Sequence, residues 1–112
     1  MHVKQFSKDR GKIKICTSYN SGVRYTISGD QSEILPLQIE IIDNGSGIPD
    51  NIINEIFEPF VSSKVNGTGL GLAFVSKIIT SHGGLIECTS HNAGTKFILR
   101  LPVSKKSLKD KI

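Results

Sequence analysis

The sequence predicts an α+β fold: a two-layer sandwich with a mostly antiparallel sheet and helices on one face. Three observations predict it. Apolar alternation over 12–18 and again over 37–43 reads as half-buried strands. A helical apolar period starts after Pro49 and returns over 70–81. Two more strands, 85–90 and 95–101, flank Asn92-Ala93-Gly94 and close the body as a hairpin. The order β(β)β–α–loop–α–ββ suits one sheet with helices on a single face.

Taken in order, "KIKICTS" sets Ile13 and Ile15 on one side and Lys12 and Lys14 on the other. "YNSGVRYTISGDQSEILP" follows, rich in Gly, Ser and Asn, and reads as a hairpin-like excursion with a middle strand around 23–27. In "LQIEIID", Leu37, Ile39 and Ile41 share a face, and Asp43 has their parity. Beyond Pro49, Ile52, Ile53, Ile56 and Phe57 fit one side of a short helix that Pro59 ends. "FVSSKVNGTG" is a polar loop. The longest helical period then carries Leu72, Val75, Ile78 and Ile79, and Gly83-Gly84 stops it. In the last strand Thr95, Phe97, Leu99 and Leu101 share a face. The chain divides into an irregular segment at 1–11, one domain at 12–103 and a Lys-rich tail at 104–112.

The 112 residues fit a single domain able to bury roughly two thirds of its unfolded surface. With 38% hydrophobic and 21% charged residues, the composition is that of an ordinary globular protein. No run approaches the ~18 apolar residues of a membrane span, and "MHVKQFSKDRGK" has no apolar core of a signal peptide. The net charge is +4, but the tail sets four lysines against one aspartate. The body is therefore close to neutral, which argues against nucleic-acid binding. Cys16 and Cys88 lie far apart, with no CxxC and no His at ligand spacing. They read as reduced thiols in a cytoplasmic chain, with no metal site.

Two glycine clusters carry the chemistry. "GTGLGL", Gly67-Thr68-Gly69-Leu70-Gly71-Leu72, stands at the start of the long helix. Unpaired amides and the partial positive charge of a helix N-terminus make that a phosphate cradle, and glycine lets the backbone come close. The spacing is neither that of a P-loop nor GxGxxG. Lys64, in the loop before it, either adds a point charge for a phosphate or is a solvated lysine. The other cluster is "DNGSGIP", at the end of the second alternating run. A carboxylate on a core face must be satisfied. Asp43 either forms an Asx turn with its own loop or floors a pocket. In the pocket reading it accepts the exocyclic amine of adenine and rejects guanine, which has a carbonyl there. Thr95 completes the base contact, or is an ordinary β-branched strand residue. Ile48 packs on the base, and the phosphates run towards Gly67–Gly71.

"DNGSGIP", "FEPF" and "GTGLGL", in this order and spacing, resemble the G1, F and G2 boxes of the histidine-kinase ATP-binding domain. That domain has the Bergerat fold, shared with gyrase, mismatch-repair and heat-shock ATPases. The resemblance covers 37–102. "FEPFVSSKVNGTGLGLAFVSKIITSHGG" and "GTKFILRLP" are most similar to nitrogen-regulation sensor kinases. The resemblance implies that Asp43 binds the adenine amine, that Gly45 and Gly47 shape the pocket, and that Phe57 and Phe60 anchor an ATP lid over 61–68. It implies that Gly67, Gly69 and Gly71, with Thr68, Leu70 and Lys64 beside them, meet the phosphates.

It also implies what else a complete enzyme needs: an N-box helix whose Asn holds Mg²⁺, dimerisation helices with a phosphoacceptor His, and a response regulator. Residues 1–11 contain no asparagine, and His2, His82 and His91 lack the phosphoacceptor context. His82 reads instead as a helix-end residue. The expectation is an N-terminally truncated, incomplete Bergerat fold that does not autophosphorylate by itself, with a bared helix-packing face that favours self-association. The alternatives are an inactive fragment serving as a nucleotide- or protein-binding module, and another ATPase or serine kinase of the superfamily.

Overall fold

Alternation in the sequence becomes strand pairing in the computed structural model, which describes residues 2–8, 11–59, 71–91 and 94–103. In chain order the elements are β1 (His2–Lys8), β2 (Gly11–Tyr19), β3 (Arg24–Ser28), β4 (Gln31–Ile34), β5 (Leu37–Asp43), a 3-10 turn (Ile53–Glu55), α1 (Gly71–Ser81), β6 (Leu85–His91) and β7 (Gly94–Leu101). Five strands form one sheet in the order β1-β2-β5-β7-β6, and β3 pairs with β4 separately. Every pairing is antiparallel.

Register sorts the side chains into two faces. One face carries the rows Ile13–Asp43–Thr95–Ser90, Ile15–Ile41–Phe97–Cys88, Thr17–Ile39–Leu99–Ile86 and Tyr19–Leu37–Leu101. These are the apolar parities read from the sequence. The helical elements lie on this face. The Phe57 ring meets Phe97 edge-on, with centroids 6.3 Å apart and planes at 68°. Ile56 beside it is buried. At the far end, α1 turns into β6 through a Schellman cap: Gly83 N–H donates to Thr80 O, and Gly84 N–H to Ile79 O. Gly84 is packed so closely that a Cβ would stand 2.5 Å from Arg100 O and 2.8 Å from a Leu101 methyl. His82 sits at the helix end as expected, its Nδ1 2.8 Å from Ile78 O.

The opposite face carries Cys16–Glu40–Ile98–Glu87 and Ser18–Gln38–Arg100–Leu85. It is partly closed by the β3–β4 excursion. The Arg100 guanidinium lies 4.7 Å from the Tyr25 ring centre and pairs with Glu87 at 2.8 Å. Cys16 and Ile98 are buried there. Cys16 and Cys88 thus occupy opposite faces of the sheet, and both thiols are free.

Two expectations change. Residues 1–11 are not wholly irregular, because His2–Lys8 pairs with β2 along its full length. The unpaired N–H and C=O groups of a β2 edge recruit the neighbouring segment. The helix expected after Pro49 is only the 3-10 turn Ile53–Glu55. Its start has no side-chain cap, two β-branched residues stand together at Ile52-Ile53, and Pro59 follows closely, so a longer helix has nothing to nucleate it. The apolar period still places Ile56 and Phe57 on the sheet.

Among the described residues, coverage of the helical face is incomplete. Of the α1 residues expected to pack, Leu72 and Ile79 are half-buried, while Val75 and Ile78 are exposed. Phe74 is 66% exposed. Ile13, Tyr19 and Leu37 on the same face of the sheet are exposed as well. Among the described residues, the buried apolar side chains are Cys16, Leu35, Ile56 and Ile98.

Candidate nucleotide-binding site

Three polar residues end three apolar parities in one row: Asp43 on β5, Thr95 on β7 and Ser90 on β6. Asp43 and Thr95 are direct register partners. Thr95 is buried and Asp43 half-buried, so a carboxylate and a hydroxyl meet at one edge of the apolar face.

The loop that leaves β5 is tied down at several points. Asp43 Oδ1 accepts the Gly45 N–H at 2.8 Å, which is an Asx turn. The turn occupies one carboxylate oxygen and leaves acceptor capacity on the group. Asn44 Oδ1 accepts the Lys12 N–H at 2.8 Å, and Asn44 N–H donates to Lys12 O at 3.3 Å, fastening the loop to β2. Gly94, with φ +139°, lies flat against the Asp43–Asn44 peptide: a Cβ there would overlap the Asp43 carbonyl and stand 2.9 Å from its carbon. Gly47 has φ +83° and turns the loop back. Ile48 N–H then donates to Ser90 Oγ at 2.5 Å. From Pro49, whose carbonyl accepts from Ile52 and Ile53, the chain enters the 3-10 turn and reaches Phe57.

The electrostatics of this corner are read out by Cys88, one row below. Burial, and secondarily the charge of Asp43, push its thiol from 9.0 to about 11. The thiol is therefore protonated at neutral pH.

Of the residues singled out in the sequence, the structure brings Asp43, Gly45, Gly47, Ile48 and Thr95 together around one loop. Gly71 opens α1, is exposed, and has open space where a side chain would be. Lys64, Gly67, Thr68, Gly69 and Leu70 lie outside the described residues, as do Phe60, the lid span 61–68 and the tail 104–112. Sequence reasoning gave no site role to Asn44, Cys88, Ser90 or Gly94. Ser90 carried a usable signal: like Asp43, it is a polar residue closing an apolar parity, Ile86–Cys88–Ser90.

The arrangement can do two things. An acceptor carboxylate beside a buried hydroxyl can take a donor amine with orientation. The first turn of an α-helix has amides without an intrahelical acceptor, and Gly71 adds no side chain there. Among the described residues, no three His, Cys, Asp or Glu side chains come together as a metal site. No described helix is long and apolar enough to cross a membrane.

Residues 3–105 match the family model described as histidine kinase-, DNA gyrase B- and HSP90-like ATPase. The sensory histidine kinase/phosphatase NtrB of Rhizobium leguminosarum bv. phaseoli is 46% identical over 102 residues, 89% of this chain and 27% of the relative. NtrB of Rhodobacter capsulatus is 48% identical over 91% of this chain and 29% of the relative. The chain thus spans little more than a quarter of the length of these relatives. Among solved structures, the catalytic domain of histidine kinase ThkA matches with a TM-score of 0.51 and 37% identity over 59% of this chain and 44% of that one. The mycobacterial sensor histidine kinase MprB matches with a TM-score of 0.52 and 31% identity over 70% of this chain and 52% of that one. The chain belongs to the histidine kinase-, DNA gyrase B- and HSP90-like ATPase family.

Proposed function

We propose that this chain is the ATP-binding catalytic portion of a sensor histidine kinase of the nitrogen-regulation type. The observation that carries the reading is the direct pairing of half-buried Asp43 with buried Thr95 at the mouth of the tied-down loop. Asp43 accepts the adenine amine, and Thr95 completes the contact directly or through a water. Ile48 packs on the base, while Gly45 and Gly47 give the loop its shape. The phosphates run to Gly67, Thr68, Gly69, Leu70 and Gly71 at the head of α1, with Lys64 as a lid cation. Phe57 and Phe60 anchor the lid.

ATP supplies a γ-phosphoryl group to be passed to a histidine on dimerisation helices, then to a response-regulator aspartate. This chain binds and orients the donor, so its contribution to catalysis is positioning and charge stabilisation. In the complete family enzyme an N-box Asn would help hold Mg²⁺, and the chemistry proposed for this chain runs through base and phosphate recognition alone. Autophosphorylation requires the rest of the kinase. The reading places the chain in the cytoplasm, where ATP and response regulators are found.

Calorimetric titration with ATP, ADP and GTP, with and without Mg²⁺, tests this. Adenine nucleotides are expected to bind at least about tenfold more tightly than GTP, the worth of one hydrogen bond to a charged group. Equal affinity for ATP and GTP would leave the Asx turn as the whole role of Asp43 and remove the base-reading assignment.

A further inference from the structure

The loop between Asp43 and Pro49 is held at its start by β7 and at its end by β6. At its start, Gly94 lies against the Asp43–Asn44 peptide. At its end, the Ile48 N–H donates to Ser90 Oγ at 2.5 Å, and the Ser90 hydroxyl is placed to donate onward to Gly94 O at 3.5 Å. Ser90 and Gly94 flank the β6–β7 turn, and Ser90 is also the register partner of Thr95. One hydroxyl therefore links the residue after Gly47, the turn glycine and the row that holds Asp43 and Thr95. A hydroxyl suits this place because it accepts and donates at once. An alanine would leave a part-buried Ile48 N–H without its acceptor.

We propose that Ser90 is a positioning residue for the nucleotide site: its hydroxyl sets the height of Ile48 above the Asp43–Thr95 row, and so the width of the slot that takes the purine. The proposal rests on the adenine-binding reading. Ser90 itself need not touch the base. It acts through the backbone of Ile48, and its effect falls on the base-binding end of the ligand.

The test uses the full chain with Ser90→Ala and Ser90→Thr, and two measurements. Amide hydrogen exchange, without nucleotide, follows Ile48 against the β5 and β7 amides as an internal record of folding. Titration with ATP and with ADP follows binding. The expected result is that Ser90→Ala speeds Ile48 exchange about tenfold while the strand amides are unchanged, and weakens ATP and ADP by the same factor, about tenfold. Ser90→Thr, which keeps the hydroxyl, restores both. Equal losses for ATP and ADP exclude an effect confined to the γ-phosphate. Unchanged nucleotide affinity in Ser90→Ala would overturn the proposal and leave the adenine reading intact. A Ser90→Ala loss that Ser90→Thr fails to restore would also overturn it. Failure of the unsubstituted chain to bind either nucleotide would overturn the adenine reading itself, and this proposal with it.

Discussion

Asp43→Asn separates what the carboxylate does for the loop from what it does for a ligand. The substitution exchanges one oxygen for an NH₂ group at constant volume. The remaining Oδ1 can still accept the Gly45 N–H, which lies at 2.8 Å, so the Asx turn survives. The atom presented to the ligand changes from acceptor to donor and faces the donor amine of adenine. The loss is a hydrogen bond to a charged group, about 1.5–3 kcal/mol, or about ten- to 150-fold in affinity for ATP and ADP. GTP affinity should hold or rise, because the new NH₂ can donate to the guanine carbonyl. The melting temperature should move by less than about 3 °C, since no packing is lost. Cys88 supplies a check that needs no nucleotide. Its thiol stands at about 11 through burial first and the Asp43 charge second. Removing the charge should lower the midpoint of Cys88 reactivity with a disulfide reagent, followed in a Cys16→Ser background, while burial keeps it above 9.0. The refuting result is an Asp43→Asn protein that melts as before, shows the lowered Cys88 midpoint, and binds ATP with unchanged affinity. The carboxylate would then be a turn-former alone.

Two further substitutions probe the frame around the site. Gly94→Ala should destabilise the fold by about 3 kcal/mol or more, because the new Cβ overlaps the Asp43 carbonyl at φ +139° and the sheet cannot part there without losing the Asp43–Thr95 pair. Urea denaturation reads this directly, and a midpoint unchanged within error would mean that the β6–β7 turn relaxes away from β5. Phe74→Glu addresses the uncovered face, on which Phe74 is 66% exposed beside exposed Val75 and Ile78. The parent chain should elute later on dilution and self-associate at high concentration, and Phe74→Glu should be monomeric with little change in melting temperature. A parent chain that stays monomeric at every concentration and melts at high temperature would refute the idea that this face seeks cover.

Where the sequence was legible, one rule was enough. Period-two alternation placed Asp43, Thr95, Phe97 and Leu101 on one face, and the register confirms each of them. The same rule applied to β6 would have marked Ser90, but "LIECTS" mixes polar residues into both parities, so its apolar face is faint. Gly83-Gly84 marked the helix end because a Schellman cap needs glycine in a fixed place. The turn after Pro49 was misjudged in kind though not in facing. Apolar spacing reports which side chains meet the sheet, not whether the backbone between them gains enough hydrogen bonds to be an α-helix. Residues 1–11 show the opposite failure. "HVKQFSK" has a weak pattern of its own, and pairing along β2 decides its conformation from outside the segment. Asn44 and Gly94 act through contacts that bridge distant parts of the chain, which spacing along one strand does not encode.

The two ends of the proposed site rest on different foundations, and this bears on how the chain would handle a nucleotide. The base end is built on the sheet: Asp43, Asn44 and Ile48 are each held by a hydrogen bond to the loop, β2 or β6, and Gly94 closes against them. The phosphate end belongs to α1, which has no buried residue and, among the described residues, is secured mainly at its C-terminal cap and against β6. Local opening costs least where few apolar contacts are lost, so the first turn of α1 should open more readily than the pocket floor. A nucleotide spanning both ends would gain affinity from a preformed base slot and lose part of it in ordering the helix. Whatever covers Phe74, Val75 and Ile78 would relieve that cost. Cover on the apolar face would therefore strengthen the hold on the phosphates before it altered the reading of the base, although it touches neither.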